Sequence, residues 1–498
     1  MLRVLGAAKR CCDGVTRRDF MRIGGLGLAG LSLADLLRLQ AACGAATHGP
    51  QFGKAKAVIL LHLYGSPSQL EWADMKPDAP VEVRGELGGI ASNVPGLAVC
   101  ELFPHMARVM DRTAVIRSMT HPYPIHGVAY AWTGNPAIDV AMELRPRDPR
   151  HWPFFGSVVQ YVDEQCRPEL RRSPVPQNVA LPFRFSSRRE GEVPRAGPYA
   201  AFLGPQYDPI WTDYRGTPTK GLRKTLQDKE FTGNDPFIGT SPDTYFTLPG
   251  ASELLPGLTL DRLDKRRSLL EQLNGLRRDL DRLAAAGRLD RYQEQALALL
   301  GSEKLAAALD IRRESPAVQE LYGESLFGKA CLAARRLVEA GSRVVTVFWD
   351  EYGLAGSGWD THWNHYPRMR IELAPGFDRA WYGLITDLDQ RGLLDEVLVV
   401  CGSEHGRTPY LNKAQGGGRD HWSRVYTTLV AGAGVKRGFV LGASDRLGAE
   451  VADRPVSPKD LLATMYHLLG IDPHMTIPDA QGRALPLVEG ELVHELLA

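Results

Sequence analysis

Three short stretches in the C-terminal half of this 498-residue chain combine acids with imidazoles closely enough to hold a cation. The first is Trp359-Asp360-Thr361-His362, with His365 just behind. The second is Ser403-Glu404-His405-Gly406-Arg407-Thr408-Pro409, and the third is Gly418-Arg419-Asp420-His421-Trp422. Carboxylate oxygens and neutral imidazole nitrogens form the mixed donor set that zinc, manganese or calcium accepts. Such an ion polarises a phosphoryl or sulfuryl oxygen and lowers the pKa of a bound water. A lone histidine is more often a hydrogen-bonded structural residue, but three acid-plus-histidine clusters outweigh that reading. The expectation is one ion shared by Asp360, Glu404, His405 and His421, with His362 close by. Arg407 offers a planar fork for a substrate oxyanion or, equally, a brace for its own loop. In the N-terminal half, Thr120-His121-Pro122-Tyr123-Pro124-Ile125-His126-Gly127 adds two imidazoles. His121 and His126 are read as ligands or as proton-transfer groups. Ser66, Ser68, Gln69, Glu71 and Asp74 could reach the same rim, whereas His62 reads as a core histidine.

Positioning these groups requires a scaffold, and the apolar runs supply one. Ala57 to Tyr64 is continuously apolar apart from His62 and stops at Gly65-Ser66-Pro67, the pattern of a strand buried on both faces. Similar runs occupy 113–118, 343–349, 396–401 and 426–430. Helical stretches are expected at about 101–111, 324–340, 374–391 and 458–469, the last opened by a Ser457…Asp460 capping box and stopped by Gly470. Strands alternating with helices imply an α/β protein with a doubly wound, mostly parallel sheet. In such sheets the chemistry lies beyond the carboxyl ends of the strands, where all three clusters fall. Residues 54–140 and 321–492 read as two halves of this core. Residues 141–320 read as a long insertion, irregular to about 250 and then a helical hairpin marked by Leu269, Leu273, Leu276, Leu280 and Leu283.

The remaining sequence features restrict function. A formal net charge of +1 argues against nucleic acid as a partner. The seven cysteines have no CxxC spacing and suggest neither a disulfide framework nor a thiolate metal site. Residues 1–46 read as an address. Thr16-Arg17-Arg18-Asp19-Phe20-Met21-Arg22, followed by a glycine-rich apolar run to about Leu37, resembles a twin-arginine export signal. That implies the twin-arginine export machinery as a partner and the periplasm or cell envelope as destination. The run is too short and too glycine-rich for a stable membrane span, so membrane contact is expected only through this segment if uncleaved. Cys43 invites a lipidation reading that Gln40 opposes.

The stretch Val397–Thr408 with His421 resembles the strand–SDHG…H segment of the alkaline phosphatase/sulfatase/phosphomutase superfamily, whose Asp-His pair and later His bind metal. Glu404, His405 and His421 match those positions, and Asp360 matches an earlier ligand. A closer resemblance is to domain of unknown function 1501, a family of twin-arginine-exported bacterial proteins. It is carried by Gly65-Ser66-Pro67-Ser68-Gln69, Trp359–His362, Gly406-Arg407-Thr408-Pro409 and Gly418–Trp422, among other motifs between 16 and 490. The resemblance implies a metal-dependent hydrolase acting on an anionic phosphate or sulfate ester, a polysaccharide included. Two departures set limits. The superfamily's Asp at the end of the first strand is here Tyr64-Gly65, and Pro124 stands where a Ser, Thr or Cys nucleophile is expected. These departures motivate the other reading, a catalytically inactive envelope binding or scaffold protein that uses residues 141–320 as its working surface.

Overall fold

The computed structural model describes residues 49–126, 130–135, 138–190, 195–226, 229–249 and 302–498. The export segment and the leucine stripe at 269–283 lie outside the described residues.

Eight strands form the central sheet: β1 (Ala57–Leu63), β2 (Thr113–Met119), β3 (Asn178–Leu181), β4 (Ile210–Trp211), β5 (Val344–Trp349), β6 (Val397–Gly402), β7 (Tyr426–Ala431) and β8 (Phe439–Leu441). Their order is β8-β2-β7-β6-β1-β5-β3-β4, and every neighbouring pair is parallel except the two made by β7. The sheet is thus mostly parallel, as expected. Strands β1, β5 and β6 are buried along their whole length, because helices cover both faces. Helices α2 (Leu326–Glu339) and α3 (Ala374–Gln390) pack with Ile59, Leu61 and Leu63 on one face. Helices α1 (Phe155–Cys166) and α4 (Pro458–Leu468) pack with Val58, Leu60 and Tyr64 on the other. The α4 start has the expected capping box, with Ser457 and Asp460 bonded reciprocally.

Two expectations change. The stretch at 101–111 is not one helix but two 3-10 turns, Met106–Arg108 and Met110–Arg112. Pro104 disfavours a helical Phe103, and Asp378 of α3 takes the N–H groups of His105 and Met106 at 3.1 and 2.7 Å. Residues 141–250 are not merely an irregular insertion, since they supply α1, strand β3 and the edge strand β4. Among the described residues no helix is long and apolar enough to cross a membrane.

Register brings the strand ends level. His62 of β1 pairs with Phe348 of β5 and with Gly402 of β6, so three adjacent strands deliver their following loops to one edge. The loop after β5 lies directly on the end of β1. Trp359 donates its N–H to the Tyr64 carbonyl at 3.0 Å, and a Cβ on Gly65 would sit 2.3 Å from the Asp360 nitrogen. With φ at +91° as well, position 65 accepts only glycine without strain.

Candidate metal centre

Asp360 receives three imidazoles. Its Oδ1 is 3.1 Å from His362 Nε2 and 3.4 Å from His421 Nε2, and its Oδ2 is 3.4 Å from His126 Nε2. Glu404 faces the other edge of the His126 ring. Its Oε1 accepts from His126 Nδ1 at 2.9 Å and from the Gly65 N–H at 2.8 Å, while its Oε2 lies 3.5 Å from His62 Nε2. The His405 ring stands 4.5 Å from that of His421 and 5.4 Å from that of His126. Two donor sets result, each with its ligand atoms within 4.8 Å of one another: His126, Asp360, His362 and His421, and His126, Glu404 and His405. No such set among the described residues contains both Asp360 and Glu404. The expectation of one ion shared by Asp360, Glu404, His405 and His421 is therefore corrected, because the carboxylates lie on opposite sides of His126.

Hydrogen bonds fix the imidazole tautomers. The Nδ1 of His362 meets Asp420 Oδ1 at 2.7 Å, that of His405 meets the Gly406 carbonyl at 2.9 Å, and that of His421 meets the Pro124 carbonyl at 3.1 Å. Each Nδ1–H donates outward, leaving an Nε2 lone pair, and the Nε2 atoms of His362 and His421 face Asp360. Metal-binding histidines have this arrangement, with an outer acceptor fixing the ring. His405 Nε2 is buried without a hydrogen-bond partner. A buried lone pair in that position is costly unless something accepts it, and a cation would. The imidazole-rich donors present fit a zinc-like divalent ion better than calcium, which takes oxygen ligands.

Electrostatics follow from burial and from the two carboxylates. Burial, reinforced by neighbouring cationic groups, holds His405 well below its ordinary value and His421 at about 4, so both rings are neutral. Burial also acts on His126, but Asp360 and Glu404 outweigh it and raise that ring to about 9. Asp360 is held well below the usual range despite its burial, chiefly by Arg407 and then by His126. Without a metal, a proton on His126 balances the two carboxylates.

Two expected roles change. Arg407 is fully buried and donates to Ser66 O, Arg419 O and Asp360 Oδ1 at 3.2, 3.1 and 2.5 Å. Its fork is consumed in holding Asp360, leaving no face for a substrate oxyanion. His121 places Nε2 on the Glu404 carbonyl at 2.7 Å and accepts the Tyr123 N–H at Nδ1 at 3.1 Å. Both its nitrogens are occupied, so it braces the loop rather than moving protons. His62 is a core residue, as expected, with Nδ1 accepting from Trp132.

The surrounding layer contains groups that residue type alone did not reveal. Glu71, Arg419 and His365 are fully buried together. Arg419 pairs with Glu71 and donates to the Thr408, Pro409 and Val83 carbonyls, and His365 Nε2 lies 3.4 Å from Glu71. This cluster ties the 359–365 loop to the 406–421 loop. Ser66 Oγ accepts the His405 N–H, Ser68 is buried beside them, and Gln69 bonds the Arg407 backbone in both directions. Asp74 instead bonds Ser444 and Lys76. Beside this layer, buried Tyr64 stacks on His126 with ring centroids 5.1 Å apart, and the Arg195 guanidinium stands 5.7 Å from the Tyr64 ring. Arg195 pairs with Glu143, whose other oxygen accepts the His126 N–H at 3.1 Å. Its Nε is buried, makes no hydrogen bond among the described residues and lies 3.8 Å from Glu351 Oε2. Asp420 was visible within the third motif, whereas nothing in the sequence marked Arg195.

A mostly parallel α/β sheet that ends in two histidine–carboxylate donor sets defines an α/β protein with the makings of a metal centre. The chain belongs to the family described as protein of unknown function DUF1501, whose model matches residues 55–497. No curated protein matches it. Among solved structures it is similar to the PsFucS1 sulfatase from Pseudoalteromonas sp., at 12% identity and a TM-score of 0.38, covering 90% of this chain and 73% of that one. It is also similar to the lipoteichoic acid synthase LtaP from Listeria monocytogenes, at 9% identity and a TM-score of 0.31, covering 87% and 78%. A third similar structure was solved with its substrate D-glucosamine-2-N,6-O-disulfate, at 13% identity and a TM-score of 0.34, covering 89% and 82%.

Proposed function

We propose that this chain is a metal-dependent hydrolase of phosphate or sulfate esters, exported by the twin-arginine route to the periplasm or cell envelope. One observation carries the chemical part. Three imidazoles at one sheet edge have Nδ1–H tied outward, and His405 keeps a buried lone pair with no partner. Asp360, His362 and His421, and separately Glu404 and His405, would hold divalent metal. Once bound, it supplies Lewis-acid polarisation of an ester oxygen. The chain does the rest. Arg407 and the Glu71–Arg419–His365 cluster keep the ligand loops in place, and Arg195, held by Glu143 and Glu351, would bring the remaining end of its guanidinium to an anionic ester, a sulfated or phosphorylated polysaccharide included. Export rests on Arg17-Arg18 and the run that follows.

The test is turnover. Protein reconstituted with zinc, manganese or calcium should hydrolyse aryl phosphates or aryl sulfates, and chelation or His405→Ala should abolish it. A second reading is favoured by Pro124, which stands at the expected nucleophile position and carries no hydroxyl or thiol. Metal-loaded protein that is inert toward a broad ester panel but retains an anionic polysaccharide would establish a binding protein instead.

A further inference from the structure

We propose that His126 bridges two cations. Its Nε2 would complete a site with Asp360, His362 and His421, and its Nδ1 a second site with Glu404 and His405, the ring binding as imidazolate with its N–H protons released to solvent. The inference rests on the metal reading of this centre and adds to it the number of ions and the residue that joins them.

Geometry carries it. The two nitrogens of an imidazole lie on different edges of the ring, and here each faces a different carboxylate, Nε2 with Asp360 at 3.4 Å and Nδ1 with Glu404 at 2.9 Å. His126 is the residue common to the two donor sets. Ligands about 2.1 Å from a tetrahedral ion stand about 3.4 Å apart, and those around an octahedral ion of the same radius about 3.0 Å apart. The separations about Asp360, at 3.1, 3.4 and 3.4 Å, match the edges of one coordination shell. The 2.9 Å contact at Glu404 suits an edge of another.

One ion cannot serve both carboxylates. Ligands of one ion can be no further apart than about twice the metal–ligand distance, roughly 4.2 Å. Asp360 and Glu404 share no donor set even at 4.8 Å. A single ion in the four-residue set would also leave His405 Nε2 buried and unpartnered. Filling only the Glu404–His405 side would leave Asp360 with three imidazoles and no cation except Arg407. Two ions satisfy every inward-facing donor, and each side chain then serves one ion except His126, which serves both.

The experiment uses the full chain reconstituted with Mn(II), dialysed and analysed for metal by mass spectrometry, with electron paramagnetic resonance on the same sample. Two manganese ions per chain with a spin-coupled spectrum are expected. His405→Ala should bring the content from two to one and remove the coupling, as should His362→Ala from the other side. His126→Ala should weaken both sites by more than the roughly 10–100-fold that loss of an outer-sphere partner costs. Circular dichroism melting of each variant separates lost binding from lost folding, and the wild-type spectrum does not depend on any variant. One ion per chain, or two without spin coupling, overturns the bridge and leaves the metal reading intact. No bound ion after loading with manganese, zinc or calcium overturns both.

Discussion

Asp420 offers a direct test of whether the centre is built for metal, because it touches no expected ion and yet sets a ligand. Its Oδ1 lies 2.7 Å from His362 Nδ1 and accepts from Asn412 Nδ2 at 3.0 Å. That bond holds the Nδ1–H tautomer, turns Nε2 toward Asp360 and makes the ring a better donor. The side chain is about half exposed, at 52%, so removing it leaves no buried cavity and no uncompensated buried charge. Exposed pairs of this kind contribute roughly 0–1 kcal/mol to folding. Loss of an outer-sphere partner, in contrast, costs a metal site about 10–100-fold in affinity, or about 1.4–2.7 kcal/mol. Asp420→Asn keeps an acceptor and loses the charge, so it should fall near the tenfold end. Asp420→Ala should approach the hundredfold end. Competition titration against a fluorescent chelator measures the affinity, with thermal melting as the folding control and Asp395→Ala as a surface carboxylate control. If Asp420→Ala binds metal as tightly as wild type, His362 is not a ligand. If metal affinity and melting temperature fall together, Asp420 acts through folding and the outer-sphere argument fails.

Three further outcomes follow from the same geometry. Burial alone would raise the Glu71 carboxyl, but Arg419 and then His365 lower it from 4.5 to about 2. The stabilisation this brings, on the order of 3 kcal/mol, is complete above about pH 4.5 and is lost as pH falls toward 2; Glu71→Gln should lack that share of the acid slope in urea unfolding. Arg195→Ala should lower kcat/KM for an ester substrate by about 10²–10³ with metal content unchanged, as expected when a donor to developing charge is removed; loss of metal instead would move Arg195 into the ligand framework. Gly65→Ala places a Cβ 2.3 Å from the Asp360 nitrogen in a left-handed backbone. It should destabilise the fold by at least about 1–3 kcal/mol and weaken the Asp360 ion more than the Glu404 ion, and equal weakening in metal titrations would refute that placement.

The parts of the fold that show in the sequence are those whose physics is local. Val344-Val345-Thr346-Val347-Phe348-Trp349 is β-branched and apolar on both faces, and Ser457 and Asp460 cap α4 through groups three residues apart. Strands β3 and β4 span only four and two residues, too short for any period to appear, and they join the sheet in turn, β3 on the edge of β5 and β4 on the edge of β3. Arg407 illustrates the limit for side chains. Its type suits an oxyanion or a brace equally, and only the Ser66 and Arg419 carbonyls, distant in sequence, settle that its donors are consumed. His126 was a candidate from its type, but its place at the junction is a matter of register. Counting from the superfamily pattern points to Pro124, but the chain at 123–126 is not helical, and in extended backbone two residues advance it by about 6–7 Å rather than about 3 Å. Pro124 therefore turns its carbonyl to His421 while His126 reaches the junction.

The division of the ligands between two sets follows from strand order, which no motif records. Asp360 arrives on the loop after β5 and Glu404 on the turn after β6, and β1 lies between those strands. The two strands are thus about 9–10 Å apart where the ligand segments leave the sheet. The intervening end of β1 keeps the carboxylates separate. Gly65 donates its N–H to Glu404 on one side and receives the backbone of Asp360 against its Cα on the other. An Asp at that position, as in the superfamily pattern, would put a third carboxylate between the two. With glycine there, the space stays open and an imidazole from the β2 loop enters it, presenting one nitrogen to each side. Gly65 and His126 thus act on the same space between the carboxylates, which is why Gly65→Ala and His126→Ala should both disturb the coupling between the two halves of the centre.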